Sequence, residues 1–324
     1  MIHRFASTAR RGVLAAAAAL LVTGLVPPAA VRAADGLTSI TVGALPVDTS
    51  ATIFYAQDQG FFKAHGLDVK IVTMPSGPVI ATAVSANSLD IGVANAATVA
   101  SAYTRGIALR FIAPAAIATP KTRTDVIMVA KDSKIASAAD LNGKTVALNG
   151  LKDLQQICAM SWIDRHGGDS KTVKFVEVPF PQMGGALEAH RVDAALPVEP
   201  FATTAKASGR VIGDVLDGLA PNFMIVGWLA NDSWLKTHAD VATRFVAAIR
   251  EASVWANAHE KESAQILLKN SKLDPSVAET MARAIYGTEL DGKLIQPVLN
   301  GAIKYGVIDK PVTPADLIWT APKR

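Results

Sequence analysis

Ser76-Gly77 stands directly before an apolar, helix-forming run. That pairing suits an anion, because it offers a hydroxyl, the unpaired amides of a helix start and a glycine with no Cβ to obstruct approach. Two comparable turns are Pro46 to Ser50, with Val47, Asp48 and Thr49, and the pair Asn95-Ala96. A second set follows in the middle of the chain: Asn149 to Asp153, with Leu151 and Lys152, then Pro179 to Gln182, then Glu199-Pro200-Phe201. Lys152 could pair with a sulfonate or carboxylate, and Arg123 is the arginine placed for bidentate anion recognition. Glu199 points the other way. A carboxylate in an anion cleft repels the ligand unless it meets an amine or ring N–H on it, or instead braces a hinge. Phe180, Phe223 and Trp228 could stack on a ring. Each residue also has a plainer reading: serine as helix cap, lysine as solvated charge, aromatic as packing.

The expected ligand-binding set is therefore Val47, Asp48, Thr49, Ser76, Gly77, Asn95, Ala96, Arg123, Asn149, Leu151, Lys152, Glu199 and Phe223. No catalytic set accompanies it. The six histidines, His3, His65, His166, His190, His238 and His259, form no H-E-x-x-H or comparable pair at metal spacing, and the chain contains neither a G-x-S-x-G elbow nor a P-loop. Cys158 is the single cysteine, which excludes an intrachain disulfide and a thiolate metal cluster. No metal and no cofactor are expected.

Turns of this kind need strands before them and helices after them, and the chain supplies both. Ser39 to Leu45 reads as strand, Thr52 to His65 as helix, Asp68 to Met74 as strand, and Val79 to Ser88 as helix. Asp90 to Ala94, Thr98 to Arg105 and Ala108 to Ala115 continue as strand, helix, strand. A second alternating block runs through Val126 to Ala130, Lys144 to Leu148, Asp153 to His166, Val173 to Val178, Met183 to His190 and Ala194 to Val198, with a helix from Phe201. Such alternation predicts βαβ units on mostly parallel sheets, with ligands at the edge where strands hand over to helices. Phe223 to Leu229 is a further strand, followed by a block of helices in which Val241, Phe245, Ala248, Ala252 and Trp255 form an amphipathic stripe. Two α/β lobes joined by crossings near Thr122 to Ile127 and Asn222 to Gly227 would enclose a cleft and close on a hinge.

The chain has 32 Lys+Arg against 28 Asp+Glu, half of its residues are hydrophobic, and it is long enough for two lobes. The excess charge sits in front. Residues 1–33 carry Arg4, Arg10, Arg11 and Arg32 and no acid, around an apolar run from Val13 to Val26. Val31-Arg32-Ala33 fits the small-residue rule for signal peptidase, so residues 1–33 are expected to be a signal peptide cut after Ala33. Arg10-Arg11 leaves both the general and the twin-arginine export routes open. The mature chain would keep 28 basic and 28 acidic side chains. That neutrality removes the electrostatic case for nucleic acid.

Four ordered segments carry a family resemblance: A-Q-D-Q-G-F-F-K-A-H-G-L-D-V from Ala56 to Val69, S-A-N-S-L-D-I-G-V-A-N-A from Ser85 to Ala96, D-L-N-G-K-T-V-A-L from Asp140 to Leu148, and A-H-R-V-D-A-A-L-P-V-E-P-F from Ala189 to Phe201. The chain resembles periplasmic substrate-binding proteins of the nitrate, sulfonate and taurine type of ABC importer, a group that includes thiamine-pyrimidine synthase-like members. The resemblance implies an α/β type II periplasmic binding protein with two Rossmann-like lobes, a hinge and an interlobe cleft. It further implies that residues 34–124 begin lobe 1, residues 125–222 form lobe 2, and residues 223–324 return to lobe 1. The implied function is capture of a small organic anion or related solute, of the sulfonate, taurine, nitrate or aromatic carboxylate class, in the periplasm. Delivery would be to a permease of the inner membrane with its ATPase, by a monomer. The alternatives are a thiamine-pyrimidine or other heterocyclic vitamin precursor as solute, or a sensory receptor. An enzyme of the thiamine-pyrimidine type is disfavoured, since such chemistry needs a cysteine-rich segment that this chain lacks.

Overall fold

The computed structural model describes residues 36–321, so the expected signal peptide lies outside the described residues. Strand β1 (Thr38–Ala44) leads through a tight turn at Asp48–Ser50 into helices α1 (Thr52–Asp58) and α2 (Phe61–Ala64). The sequence predicts one helix here, and Gly60 divides it. Its φ of 77° is a left-handed conformation that glycine adopts without steric cost, and it turns the chain between the two helices. Strand β2 (Leu67–Thr73), helix α3 (Gly77–Ser85), strand β3 (Ile91–Ala94), helix α4 (Ala96–Thr104) and strand β4 (Leu109–Ala118) complete the first block.

The chain then crosses into a second sheet. Its elements are β5 (Val126–Ala130), β6 (Thr145–Leu148), α5 (Leu154–Arg165), β7 (Lys174–Glu177), α6 (Phe180–Glu188), β8 (Ala194–Ala195), α7 (Phe201–Ala205) and β9 (Gly209–Asp214). After a second crossing come β10 (Phe223–Asn231), α8 (Asp232–Thr237), α9 (Ala239–Ala258), α10 (Glu260–Ser271), β11 (Ile285–Tyr286), α11 (Gly292–Lys304) and α12 (Pro314–Leu317).

The first sheet has the order β11-β4-β10-β3-β1-β2 and the second β7-β6-β8-β5-β9. Strands from both ends of the described chain thus share one sheet, while residues between the crossings build the other. The expectation of mostly parallel sheets is corrected. The pairs β1–β2, β1–β3, β6–β7 and β6–β8 are parallel, but β10 runs antiparallel between β3 and β4, and β5 antiparallel between β8 and β9. Each strand that follows a crossing enters its new sheet against the direction of the strands beside it.

Burial follows the pattern of residue types. All four residues of β3 and all five of β5 are buried, as expected for strands covered on both faces. The stripe on α9 buries Val241, Phe245, Ala248 and Ala252 against the first lobe. Trp228 of β10 is fully buried, its indole N–H donating to Thr52 Oγ1 at 3.3 Å. Between the lobes, α11 lies against α5 at Gly301, where a Cβ would come within 2.7 Å of Ile157 and 2.9 Å of Leu219. Glycine permits that approach without displacing either side chain, and Tyr305 secures it by donating its hydroxyl to Asp164 at 3.1 Å.

Candidate functional site

The two sheets present their strand-to-helix turns to each other across a cavity of about 640 Å³, a volume that includes the space at its mouth. From the first lobe come Leu45, Val47, Thr49 and Ser50 after β1, Gly77 at the start of α3, and Val93, Ala94 and Asn95 at the end of β3. From the second come Asn149 after β6, Asp153, Leu154, Gln155 and Cys158 at the head of α5, Phe180 at the start of α6, and Val198. The crossings supply the floor, with Asp125, Val215 and Leu216 on one side and Ile225 and Val226 of β10 on the other. This is the edge at which open α/β sheets receive ligands.

Helix starts explain how the polar groups are held. Asn95 caps α4, its Oδ1 accepting from the Thr98 N–H at 2.9 Å. Asp153 caps α5 in the same way, Oδ1 accepting from the N–H groups of Gln155 at 2.9 Å and Gln156 at 3.3 Å. Asn95 also reaches the Asp153 carboxyl from the opposite lobe. Asn149 donates its Nδ2 to the Pro75 carbonyl at 2.8 Å, a second contact between the lobes. The Thr49 side chain is buried with no hydrogen-bond partner for its hydroxyl among the described residues, and it faces the cavity.

The ionisable side chains of the wall are acidic. Among the described residues, Asp125 and Asp153 are the only charged ones of the wall, and no lysine, arginine or histidine joins them. Burial pushes the Asp125 carboxyl up to about 7; the hydroxyl of Thr124, at 2.8 Å, opposes that shift, and the carboxylates of Asp214, Glu199 and Asp153 add to it. Burial likewise pushes Asp153 up to about 7, against the N–H groups of Gln156 and Gln155 and with help from Glu177. Asp214, behind the floor, rises to about 6 through burial, and the Cys158 thiol is raised by burial and by these same carboxylates.

The structure brings five of the sequence-predicted residues to the wall: Val47, Thr49, Gly77, Asn95 and Asn149. Ser76 and Ala96 are buried beside it, at the starts of α3 and α4. The rest are engaged elsewhere. Asp48 is fully buried and paired with Arg283 at 3.0 Å. Arg123 lies 3.3 Å from Asp214 and 3.6 Å from Asp217, with half of its side chain in solvent. Leu151 and Lys152 are exposed, their N–H groups donating to Glu177 and Gln156. Phe223 is buried in β10. Glu199 braces the junction of the lobes: its carboxylate accepts from Thr203 and, at 3.2 Å, from the Ala282 N–H, and its carbonyl accepts from the Asp48 N–H at 2.9 Å. Burial raises its pKa, and those hydrogen bonds oppose the rise.

Sequence reasoning missed Asp125 as a wall residue and counted Asp153 only as the end of a turn. The available signal was an aspartate opening a run of apolar β-formers, Asp125 to Ala130, where a charge is out of place unless the position serves a site.

The family model described as NMT1/THI5 like matches residues 48–263. The chain belongs to this family. Among its relatives, a protein of Brachyspira hyodysenteriae that carries the provisional name of ABC transporter periplasmic binding protein is 26% identical over 277 residues, 78% of this chain and 77% of the other. Two solved structures show the same two-lobed α/β fold of periplasmic binding proteins. A ligand binding component of an ABC-type import system from Staphylococcus aureus, solved with zinc bound, superposes with a TM-score of 0.76 at 16% identity, over 87% of this chain and 96% of that one. The periplasmic aliphatic sulphonate binding protein SsuA of Escherichia coli gives 0.70 at 18%, over 88% and 93%. All three are named for binding and none for catalysis. Among the described residues no group of three or more His, Cys, Asp or Glu could hold a metal ion, and no helix is long and apolar enough to cross a membrane.

Proposed function

We propose that this protein is the solute-binding component of an ABC importer, closing its two lobes over a small organic solute in the periplasm and presenting the closed form to a permease with its ATPase. The observation that carries the reading is the convergence of polar groups from both lobes on one cavity: Thr49 and Asn95 from the first, Asn149 and Asp153 from the second. A solute held by both sets stabilises the closed arrangement over the open one, which is what a trap requires. The provisional name of the Brachyspira relative agrees with this role.

Two solute classes follow from the sequence and the relatives. The sulfonate, taurine, nitrate or aromatic carboxylate class has the amides at the starts of α3, α4 and α5 in its favour, together with the name of the Escherichia coli protein. A heterocycle with N–H donors, such as a vitamin precursor, has the carboxyl groups of Asp125 and Asp153 in its favour. Small-angle scattering with and without a panel of both classes tests the trap itself, because lobe closure shortens the particle. Deletion of the gene then tests transport. Loss of uptake of the identified solute is expected, and intact uptake with a lost response to that solute would assign a sensory role instead.

A further inference from the structure

The inference that follows rests on the receptor reading and names the chemistry of the solute. We infer that the cleft recognises a small organic cation, an ammonium or amidinium group on an apolar body, through the carboxylates of Asp125 and Asp153.

Three observations converge on this. First, the cavity is built of apolar walls around two acidic side chains and contains no basic one. Arg123, two residues before Asp125, is turned to Asp214 and Asp217 and half exposed, and no basic side chain among the described residues lines the cavity, so an oxyanion there would find no charged partner. It would also face the fields of Glu199 and Asp214 behind the wall. Second, the carboxyls are only partly used by the fold: Asp153 spends Oδ1 on capping α5. Asp125 is 7% exposed and holds one internal contact, Thr124 Oγ1 to Oδ2 at 2.8 Å, which leaves Oδ1 without a partner among the described residues. Third, the Thr49 hydroxyl, 6% exposed and unpartnered, reaches the same space from the opposite lobe and can accept a further N–H. Such a set, two acids and a hydroxyl in an apolar box, satisfies a donor edge and dissatisfies an acceptor edge.

Burial, mutual repulsion and the neighbouring Glu199, Asp214 and Glu177 push both carboxyls up to about 7. An entering cation stabilises the ionised forms and expels protons. The N–H groups of Gln155 and Gln156 donate to Asp153 and the Thr124 hydroxyl to Asp125, Asn95 lies close enough to lower the Asp153 pKa, and the Cys158 thiol, raised by burial, remains neutral beside them. Affinity for a cation therefore grows with pH through about 7.

The test uses matched aromatic probes that differ in charge: benzamidinium and phenethylammonium against benzoate and benzenesulfonate. Each is titrated calorimetrically into the exported protein at pH 6 and pH 8, in buffers of different ionisation enthalpy. The cations are expected to bind about tenfold more tightly at pH 8 than at pH 6, with proton release. Asp125→Asn and Asp153→Asn should each weaken them by at least about tenfold. The second variant keeps a good helix cap, so α5 stays in place. Binding of benzoate or benzenesulfonate in place of the cations, tightening as pH falls, would overturn the assignment, since the two acids would then act as protonated donors. Absence of binding by both cations would overturn it as well. The receptor reading fails differently: no solute of either charge, including any carried through purification, would close the lobes in scattering.

Discussion

Two buried polar clusters in this molecule differ in one respect, and the difference separates structure from function. In the first lobe, Asp48 is completely buried but accepts from Arg283 Nη2 at 3.0 Å, from the Tyr286 hydroxyl at 2.7 Å and from the backbone N–H of Ala284. Tyr55 joins at 3.3 Å. Burial opposes the charge on Arg283, and Asp48 restores it, so that the guanidinium stays fully charged. Burial, with Asp48 beside them, lifts both phenols out of any accessible titration range. At the cleft, Asp125 and Asp153 are almost as deeply buried and have no cation. A cluster that satisfies itself holds the fold together; one left incomplete is a place for something else to bind.

The sharpest way to break this comparison is Arg283→Met, which strands the Asp48 carboxylate in the core. A loss of about 3 to 5 kcal/mol in urea denaturation is expected, and a loss below about 1 kcal/mol would mean that the first cluster is no more complete than the second. The opposite sign is expected at the cleft. Because the folded pKa of Asp125, about 7, stands above its ordinary 3.8, the folded state keeps a proton that the unfolded state has released between those values. Stability of the empty protein then falls as pH rises through that window and stays low above it. Asp125→Asn should therefore stabilise the protein by roughly 2 kcal/mol at pH 8 and hardly at all near pH 4, as thermal melts at the two pH values would reveal. Asn95→Ala removes the α4 cap and costs about 1 kcal/mol. It also takes a donor from Asp153, so NMR titration of that carboxyl should place its pKa still higher. Smallest in its effect on the solute is Arg123→Ala, with affinity unchanged by calorimetry because this arginine does not line the cavity, and with a stability loss of at most about 1 kcal/mol, since its half-exposed guanidinium is the partner of the largely buried Asp214.

Much of the fold was legible in local pattern. β5 falls on the predicted Val126 to Ala130 without adjustment, and β1, β2, β3 and α5 lie within a residue of expectation, because apolar alternation and cap residues are properties of neighbours in sequence. β9 was missed. Gly-Arg-Val-Ile-Gly-Asp is bracketed by glycines and reads as a loop, and it becomes a strand only because β5 lies alongside it. The insertion of β10 between β3 and β4 is equally non-local. The site followed the same rule. Thr49, Gly77, Asn95 and Asn149 line the cavity, and their positions at strand-to-helix turns are readable in sequence. Asp48 stands at such a turn as well, yet its partner Arg283 lies 235 residues away in sequence, and no spacing rule connects them.

The cavity floor consists of the same crossing segments that join the lobes, with Asp125 on one and Val226 on the other. The site thus occupies the axis of the lever rather than its tips. Under the proposed closure, rotation of the lobes would displace groups near that axis least, and the rim contacts of Asn95 with Asp153 and of Asn149 with Pro75 most. In the closure proposed above, a solute would meet the floor in the open and the closed forms alike but gain the rim only on closure. Changes at Asp125 should therefore be felt at first encounter, and changes at Asn149 or Asn95 in how long the solute stays.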